Sequence, residues 1–137
     1  MPEKRTLERA RRDRREGKSP STQAGEFVRE EIHHVREGKH GARSAKQAIA
    51  IGLSKARRAG VPLPPPPKGK TSARTRRSAM SASRARQSGQ RTTSSRRARA
   101  TERALGREPR RGASRTALSR HAKMAARRRK SPTRRAA

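Results

Sequence analysis

Apolar residues recur at helical spacing over residues 44–59. The small and apolar side chains follow the i, i+3, i+4, i+7, i+8, i+11 pattern of one helix face: Ala45, Ala48, Ile49, Gly52, Leu53 and Ala56. Ser44 followed by Gln47 is a capping-box pattern, and Gly60 before Pro62 is typical of a helix end. The pattern therefore predicts a helix over 44–59, whose small residues allow a second helix to approach closely.

A second amphipathic helix is predicted over residues 22–37. Its apolar side chains lie close to one face: Ala24, Phe27, Val28, Ile32 and Val35. Gly38 ends this helix, and a short loop leads to the next one. We interpret residues 22–60 as a helical hairpin. Because the hairpin has few large apolar side chains, its stability by itself would be marginal. Self-association through the helix pair, or a nucleic-acid partner, would stabilise it.

The remaining segments are polar or of low complexity. Residues 3–16 alternate in charge sign and predict a solvated, fraying helix that ends at Gly17. The proline-rich stretch 61–67 predicts a stiff polyproline II spacer. Arg, Ser, Ala and Thr dominate from Lys68 onward, and only residues 113–130 carry a helical pattern there, which we expect to form on bound phosphates.

The predicted fold is thus all-α, a small helical hairpin with a charged N-terminal helix and a long disordered Arg/Ser/Ala-rich basic tail. Its four parts are a charged N-terminal arm (1–20), the hairpin (21–61), a Pro-rich spacer (62–70) and the tail (71–137).

The charge balance points to a polyanionic partner. The 137 residues include 40 Lys and Arg against 10 Asp and Glu, a net charge of +30. Residues 1–60 hold 16 basic and 8 acidic residues, whereas residues 61–137 hold 24 basic and 2 acidic ones. A compact chain with this charge repels itself unless a polyanion neutralises it. Arg outnumbers Lys 31 to 9, and guanidinium groups suit bidentate contact with phosphate.

Candidate nucleic-acid contacts lie on the second hairpin helix and along the tail. At 100° per residue, the basic and polar residues of the second helix, with Ser54 among them, lie opposite its apolar face. The predicted nucleic-acid-binding residues are Arg43, Lys46, Gln47, Arg57, Arg58, Arg74, Arg76, Arg77, Arg84, Arg86, Arg96, Arg97, Arg99, Arg110, Arg111, Arg127, Arg128, Arg129 and Lys130. Contact with phosphate is expected of them, and base-specific contact is not.

Several other classes of function are excluded. The chain has no cysteine, no paired carboxylates in an apolar setting, no phosphate-binding glycine loop and no nucleophile motif, so we expect neither an enzyme nor a cofactor. The longest apolar run, residues 48–53, is too short to span a membrane, and the N-terminus resembles no secretory signal. We therefore expect a cytoplasmic, nucleoid-associated protein.

Histidine supplies the only metal-ligand pattern in the chain. His33, His34 and His40 lie close in sequence, with Glu30 or Glu37 as a fourth ligand. Adjacent histidines on a helix diverge by 100°, which makes a shared ion awkward. No metal site is predicted.

One stretch of the hairpin resembles a known motif. Residues 44–60 (SAKQAIAIGLSKARRAG) resemble a motif of a family of small, basic, uncharacterised bacterial proteins, and residues 26–41 (EFVREEIHHVREGKHG) look like its longer version. The resemblance spans roughly residues 22–61 and implies no activity for particular residues, although some members look like DNA-binding proteins with basic tails. The tail is similar in composition to linker-histone-like and protamine-like tails.

We predict a histone-like protein that binds DNA without sequence specificity, neutralises phosphate charge, and compacts or bridges DNA. RNA binding or association with the ribosome is an alternative, because small basic chains also suit folded RNA. A third alternative is a protein-interaction adaptor with a basic localising tail.

Overall fold

The computed structural model describes residues 2–87 and 94–130, and helices make up most of these ranges. The helices are α1 (Lys4–Arg15), α2 (Pro20–Arg36), α3 (Ala45–Ala59), α4 (Ala73–Gln87), α5 (Ser95–Gly106), a 3₁₀-helix (Arg110–Ala113) and α6 (Arg115–Lys130). No β-strand occurs in these two ranges, so the predicted all-α class is confirmed there. None of the described helices is both long and apolar enough to cross a membrane.

Local capping sets the ends of α2 and α3. The Ser44 hydroxyl accepts a hydrogen bond from the Gln47 N–H at 3.1 Å, and Gly60 ends α3 in the left-handed conformation at φ +101°. Helix α2 begins two residues before its predicted start. Ser19 caps it, and Pro20 occupies the first turn, where a missing N–H costs nothing.

The apolar faces of α2 and α3 pack against each other in opposite directions. Ala24 near the start of α2 and Phe27 at its middle share a core cluster with Ala56 near the end of α3, and Val35 near the end of α2 shares a second cluster with Ala48. At the crossing, a Cβ added to Gly52 would lie 2.6 Å from the Val28 Cα. A glycine is therefore required for the backbones to approach this closely.

The helix pair is not the isolated hairpin that the sequence predicted, because α1 also packs against α2. Ala10 of α1 is buried in the same cluster as Phe27. The predicted fraying N-terminal helix is thus docked on the body. A 2.8 Å hydrogen bond from Lys18 Nζ to the buried Asp13 carboxylate, and a further one to Glu16, raise the pKa of the Lys18 ammonium.

The proline segment and α4 cover the other side of α3. Val61 is buried, and Leu63 packs against the same core. The Pro64 carbonyl accepts a hydrogen bond from Arg57 Nη2 at 3.0 Å. The segment therefore packs along the helix pair and does not project as a free spacer.

The described residues include helices in the region from residue 71, which was predicted to be a disordered tail. Helix α4 and helix α5 occupy part of this region, and α6 corresponds to the helical pattern predicted over 113–130. Ala and Arg have high helix propensity, and serines cap each helix: Ser72, Ser94 and Ser114 each accept a hydrogen bond from the N–H three residues on. The tail residues 88–93 and 131–137 lie outside the described residues.

Backbone hydrogen bonds join the tail to the loop between α2 and α3. The N–H of Gly41 donates to the Leu105 carbonyl at 2.8 Å, and the N–H of Ala42 donates to the Pro109 carbonyl at 2.9 Å. Ala113 of the 3₁₀-helix is fully buried in the cluster of Val35. This junction places α6 beside the start of α3.

Candidate nucleic-acid interface

A groove of about 580 Å³ lies between the start of α3 and helix α6. No acidic residue is among the described residues that line it, whereas five cationic side chains are: Arg43, Lys46, Arg111, Arg120 and Arg128. His121 also lines the groove and supplies a further nitrogen ligand or donor. An unpaired set of cations in a concave surface is suited to a polyanion.

Two helix N-termini border this groove. Ser44 caps α3 and Ser114 caps α6, and both serines belong to its lining. The first backbone N–H groups of a helix carry partial positive charge, which adds to the charge of the lining side chains.

A close backbone contact brings the two helices together. A Cβ added to Gly112 would lie 2.7 Å from the Ala42 carbonyl oxygen and 2.9 Å from the Ser44 carbonyl carbon. The 3₁₀-helix therefore fits against the loop only with glycine at this position. Because α6 follows directly, the position of this glycine determines where the groove forms.

The groove is also lined by apolar side chains. Ala45, Ala117 and Ala125 contribute small side chains, and Met124 contributes a large hydrophobic one that is 54% exposed. The groove thus offers apolar contact beside its cations.

Most carboxylates lie on α1, α2 and the adjoining loops, away from this groove. Glu3, Glu26, Glu30 and Glu37 line a different pocket, between α1 and α2, where Arg5 and Arg29 accompany them. Hydrogen bonds from His34 and Lys39 lower the pKa of the Glu3 carboxyl in this region. These carboxylates thus lie apart from the basic groove, and arginines in the same pocket balance much of their charge.

The structure divides the predicted binding face of α3. Arg43 and Lys46 line the groove, and Arg58 is exposed. Gln47 instead helps to cap the N-terminus of α3, because its side-chain oxygen accepts a hydrogen bond from the Arg43 N–H at 2.5 Å. The first turn of α3 is therefore the part that a polyanion can reach in the groove.

Arg57 does not lie on an exposed face. Its side chain is 8% exposed, its Nη2 donates to Pro64, and burial lowers the pKa of its guanidinium group. Packing of the proline segment and α4 against the end of α3 covers this residue. The expectation of a solvent-facing Arg57 is corrected accordingly.

The predicted tail residues fall into three groups. Arg111 and Arg128 line the groove. Arg76 is half-buried, with Nη1 3.6 Å from the Met80 sulfur, and the side chain of Arg86 lies outside the described residues. The others are exposed on α4, α5, α6 and the 3₁₀-helix: Arg74, Arg77, Arg84, Arg96, Arg97, Arg99, Arg110, Arg127, Arg129 and Lys130.

Arg120 and His121 of the groove were missing from the predicted set. Arg120 and His121 lie one helical turn after Thr116 and Ala117 and two turns before Arg128, so all line one side of α6. The helical pattern of residues 113–130 contained this face. Its proximity to α3 could not be inferred from that pattern, because it depends on the distant contact at Gly112.

Part of the chain matches the model of a known protein family. Residues 3–68 match a family of unknown function (DUF6496). No curated protein and no solved structure matches the chain.

The DUF6496 match supports the resemblance to an uncharacterised family and covers α1, α2, α3 and the proline segment. Helices α4, α5 and α6 lie beyond it. Arg43 and Lys46 thus come from the matched part of the chain, and Arg120 and Arg128 come from the unmatched part. The basic groove combines both.

Proposed function

We propose that this protein binds DNA without sequence specificity, as a nucleoid-associated protein, and that the groove between α3 and α6 is a phosphate-binding part of its interface. The observation that carries the proposal is the lining of this groove, which has five cationic side chains and no acidic residue among the described ones. Exposed arginines on α4, α5 and α6 extend the basic surface beyond the groove.

Electrostatics accounts for the affinity of such an interface. Duplex DNA carries one negative charge per ~1.7 Å of axis, so a net charge of +30 balances roughly 50 Å of duplex. Lysine and arginine that bind phosphate release condensed counterions, and this release drives association. Affinity therefore falls steeply with salt and depends little on base sequence.

The composition also favours a backbone-binding mode. Phe27 is the sole aromatic residue, and it is buried in the core between α2 and α3. Base-stacking platforms for single strands use exposed aromatic side chains. Phosphate contact by arginine and lysine remains as the main source of affinity. Exposed arginines on α4 and α5, outside the groove, would let one molecule bridge two DNA segments.

The test compares two double variants with the same net charge. Lys46→Gln with Arg120→Gln removes one cation from each wall of the groove. Arg5→Gln with Arg29→Gln removes two exposed cations from the pocket between α1 and α2. Duplex affinity is measured by fluorescence anisotropy across a salt series for the full chain and both variants.

The groove variant is expected to lose affinity at low salt and to flatten the slope of log affinity against log salt by roughly 0.9 per lost phosphate contact. The control variant is expected to keep the wild-type slope. Equal losses in both variants would show that net charge alone matters and would overturn the assignment of the groove. Absence of duplex binding at low salt would overturn the function itself.

A competition experiment separates DNA from RNA. Unlabelled duplex DNA and structured RNA of equal phosphate number are used to displace the labelled duplex. DNA is expected to compete at least as well as RNA, and clearly tighter RNA binding would favour the alternative of an RNA-binding or ribosome-associated protein.

A further inference from the structure

Three side chains with metal-binding chemistry converge away from the basic groove. Glu31 of α2 is 0% exposed, and His34 lies one turn later on the same helix. His40 approaches from the loop after α2, with its Nε2 3.0 Å from Glu31 Oε2. His34 Nδ1 lies 3.9 Å from Glu31 Oε1. One ligand atom from each residue falls within 4.8 Å of the others.

The far nitrogen of each imidazole already has an oxygen partner. His40 Nδ1 donates to the Gly41 carbonyl at 3.0 Å, and His34 Nε2 donates to Glu3 Oε1 at 3.0 Å. Metal-bound histidines almost always donate their other ring N–H to a carbonyl or carboxylate in this way, which orients the ring and raises its basicity. The other ring nitrogen of each histidine, His34 Nδ1 or His40 Nε2, is the one near the Glu31 carboxylate.

Glu31 itself leaves a coordination position open. Lys55 Nζ pairs with its Oε1, but no hydrogen bond of good geometry reaches Oε2, despite the short distance to His40. A fully buried carboxylate oxygen without a donor is costly. A cation between Oε2 and the two imidazoles would satisfy it.

We propose that Glu31, His34 and His40 form a binding site for a divalent transition metal ion of the zinc class. Two imidazoles and one carboxylate are borderline ligands that suit Zn²⁺. Tetrahedral zinc with bonds near ~2.1 Å places its ligand atoms roughly 3.4 Å apart, and the 3.0 Å between His40 Nε2 and Glu31 Oε2 is near this spacing. His34 Nδ1 is measured to the other oxygen, Oε1, so its imidazole has to move slightly to share the ion. Three protein ligands leave the fourth position for water.

This site differs from the arrangement weighed from the sequence, in which His33, His34 and His40 would share an ion with Glu30 or Glu37. His33 is exposed, so the adjacent pair His33–His34 does not chelate together. Helical spacing instead places His34 near Glu31, and the loop returns His40 to the same point. The carboxylate in the site is that of Glu31, whose burial the charge pattern of the sequence did not indicate.

A metal ion here would fix the loop that leads to the basic groove. Binding to His40 would hold this loop against α2. Binding to His34 would also orient its hydrogen bond to Glu3, in the segment before α1. Lys55 competes as a second cation on the same carboxylate. Lys55→Met is therefore expected to strengthen metal binding, because it removes this repulsion.

The experiment uses the full chain, stripped of metal with a chelator and dialysed. Zn²⁺ is titrated in competition with a chromophoric chelator, and Co²⁺ is added separately to record its visible absorption spectrum. One equivalent of Zn²⁺ is expected to bind, and the Co²⁺ spectrum is expected to show ligand-field bands. His40→Gln, in the loop, is expected to weaken Zn²⁺ binding by roughly tenfold or more, since even loss of an outer-shell partner costs 10–100-fold.

His33→Gln is the matched control, because it removes an exposed histidine next to the site and is expected to leave affinity unchanged. Circular dichroism of each variant reports whether the helices persist. Glu31→Gln, which removes the carboxylate ligand, is the more direct variant but buries an altered side chain. His40 lies in a loop, so His40→Gln tests the proposal even if Glu31→Gln fails to fold. The proposal is overturned if the wild-type chain binds less than one equivalent, or if His40→Gln binds as tightly as His33→Gln. Either result would assign the cluster to a polar network that Glu31 forms with Lys55 and the two histidines.

Discussion

At the scale of single residues, a few small side chains control the fold more than the large apolar ones do. The core contains mostly alanine, with Phe27 and Val35 as its largest fully buried apolar side chains. Alanine and glycine bury little apolar area each, so their contribution comes from the close approach of helix backbones, which increases dispersion contacts. Gly52 is the tightest such position between α2 and α3.

Gly52→Ala is expected to destabilise the protein by about 1–3 kcal/mol, because the added methyl group collides with the backbone of Val28 and separates the helices. Gly25→Ala is the control, since a Cβ there meets nothing within 4 Å. It removes a helix-interior glycine and is expected to stabilise by about 0.5–1 kcal/mol. Urea unfolding followed by circular dichroism measures both, and equal effects of the two substitutions would contradict the close approach at Gly52.

At the scale of elements, the end of α3 is covered by a segment without regular secondary structure. Residues 61–67 have few backbone N–H donors, so they depend on side chains and on apolar contact to hold their position. Val61 and Leu63 supply the apolar contact, and Arg57 supplies the hydrogen bond to Pro64. A residue predicted to bind phosphate thus has a structural role.

Arg57→Ala is expected to lower the free energy of unfolding by about 1–3 kcal/mol, because it leaves the Pro64 carbonyl without its donor and removes a packed side chain. Arg58→Ala removes the same charge from an exposed neighbour and is expected to change stability by less than about 0.5 kcal/mol. Thermal unfolding of the full chain gives the comparison. An Arg57→Ala variant as stable as Arg58→Ala would show that the proline segment is held by its apolar contacts alone.

At the scale of the whole molecule, charge and packing are separated along the chain. The first 60 residues hold most of the core and eight of the ten acidic residues, and the rest supplies most of the positive charge. Docking of the 3₁₀-helix connects the two through Gly112 and the backbone hydrogen bonds at Gly41 and Ala42. The basic groove exists only where both parts meet.

Gly112→Ala is expected to undock the 3₁₀-helix, because its methyl group overlaps the backbone at Ala42 and Ser44. The Ala42 amide, which donates to Pro109, should lose its protection against hydrogen exchange, and DNA affinity should fall together with the salt slope. Gly106→Ala, where a Cβ meets nothing within 4 Å, is expected to leave both unchanged. Retained protection of the Ala42 amide in Gly112→Ala would contradict this account of the groove.

Sequence by itself determined the features that depend on neighbours within about one helical turn. The span of α3, its serine cap and its glycine end followed from local hydrogen bonding, and the apolar face of α2 followed from helical periodicity. The same reasoning underestimated the helices of the tail, because the self-repulsion of arginines was weighed more heavily than the helix propensity of Ala and Arg and the serine caps.

Tertiary structure alone decided which charged residues face solvent and which converge. Arg57 and Arg58 are adjacent in sequence, yet only Arg57 is covered, because the proline segment and α4 pack over it. Lys46 and Arg120 line one groove although they are far apart in the chain. Such arrangements arise from contacts between distant segments, about which local periodicity and composition carry no information.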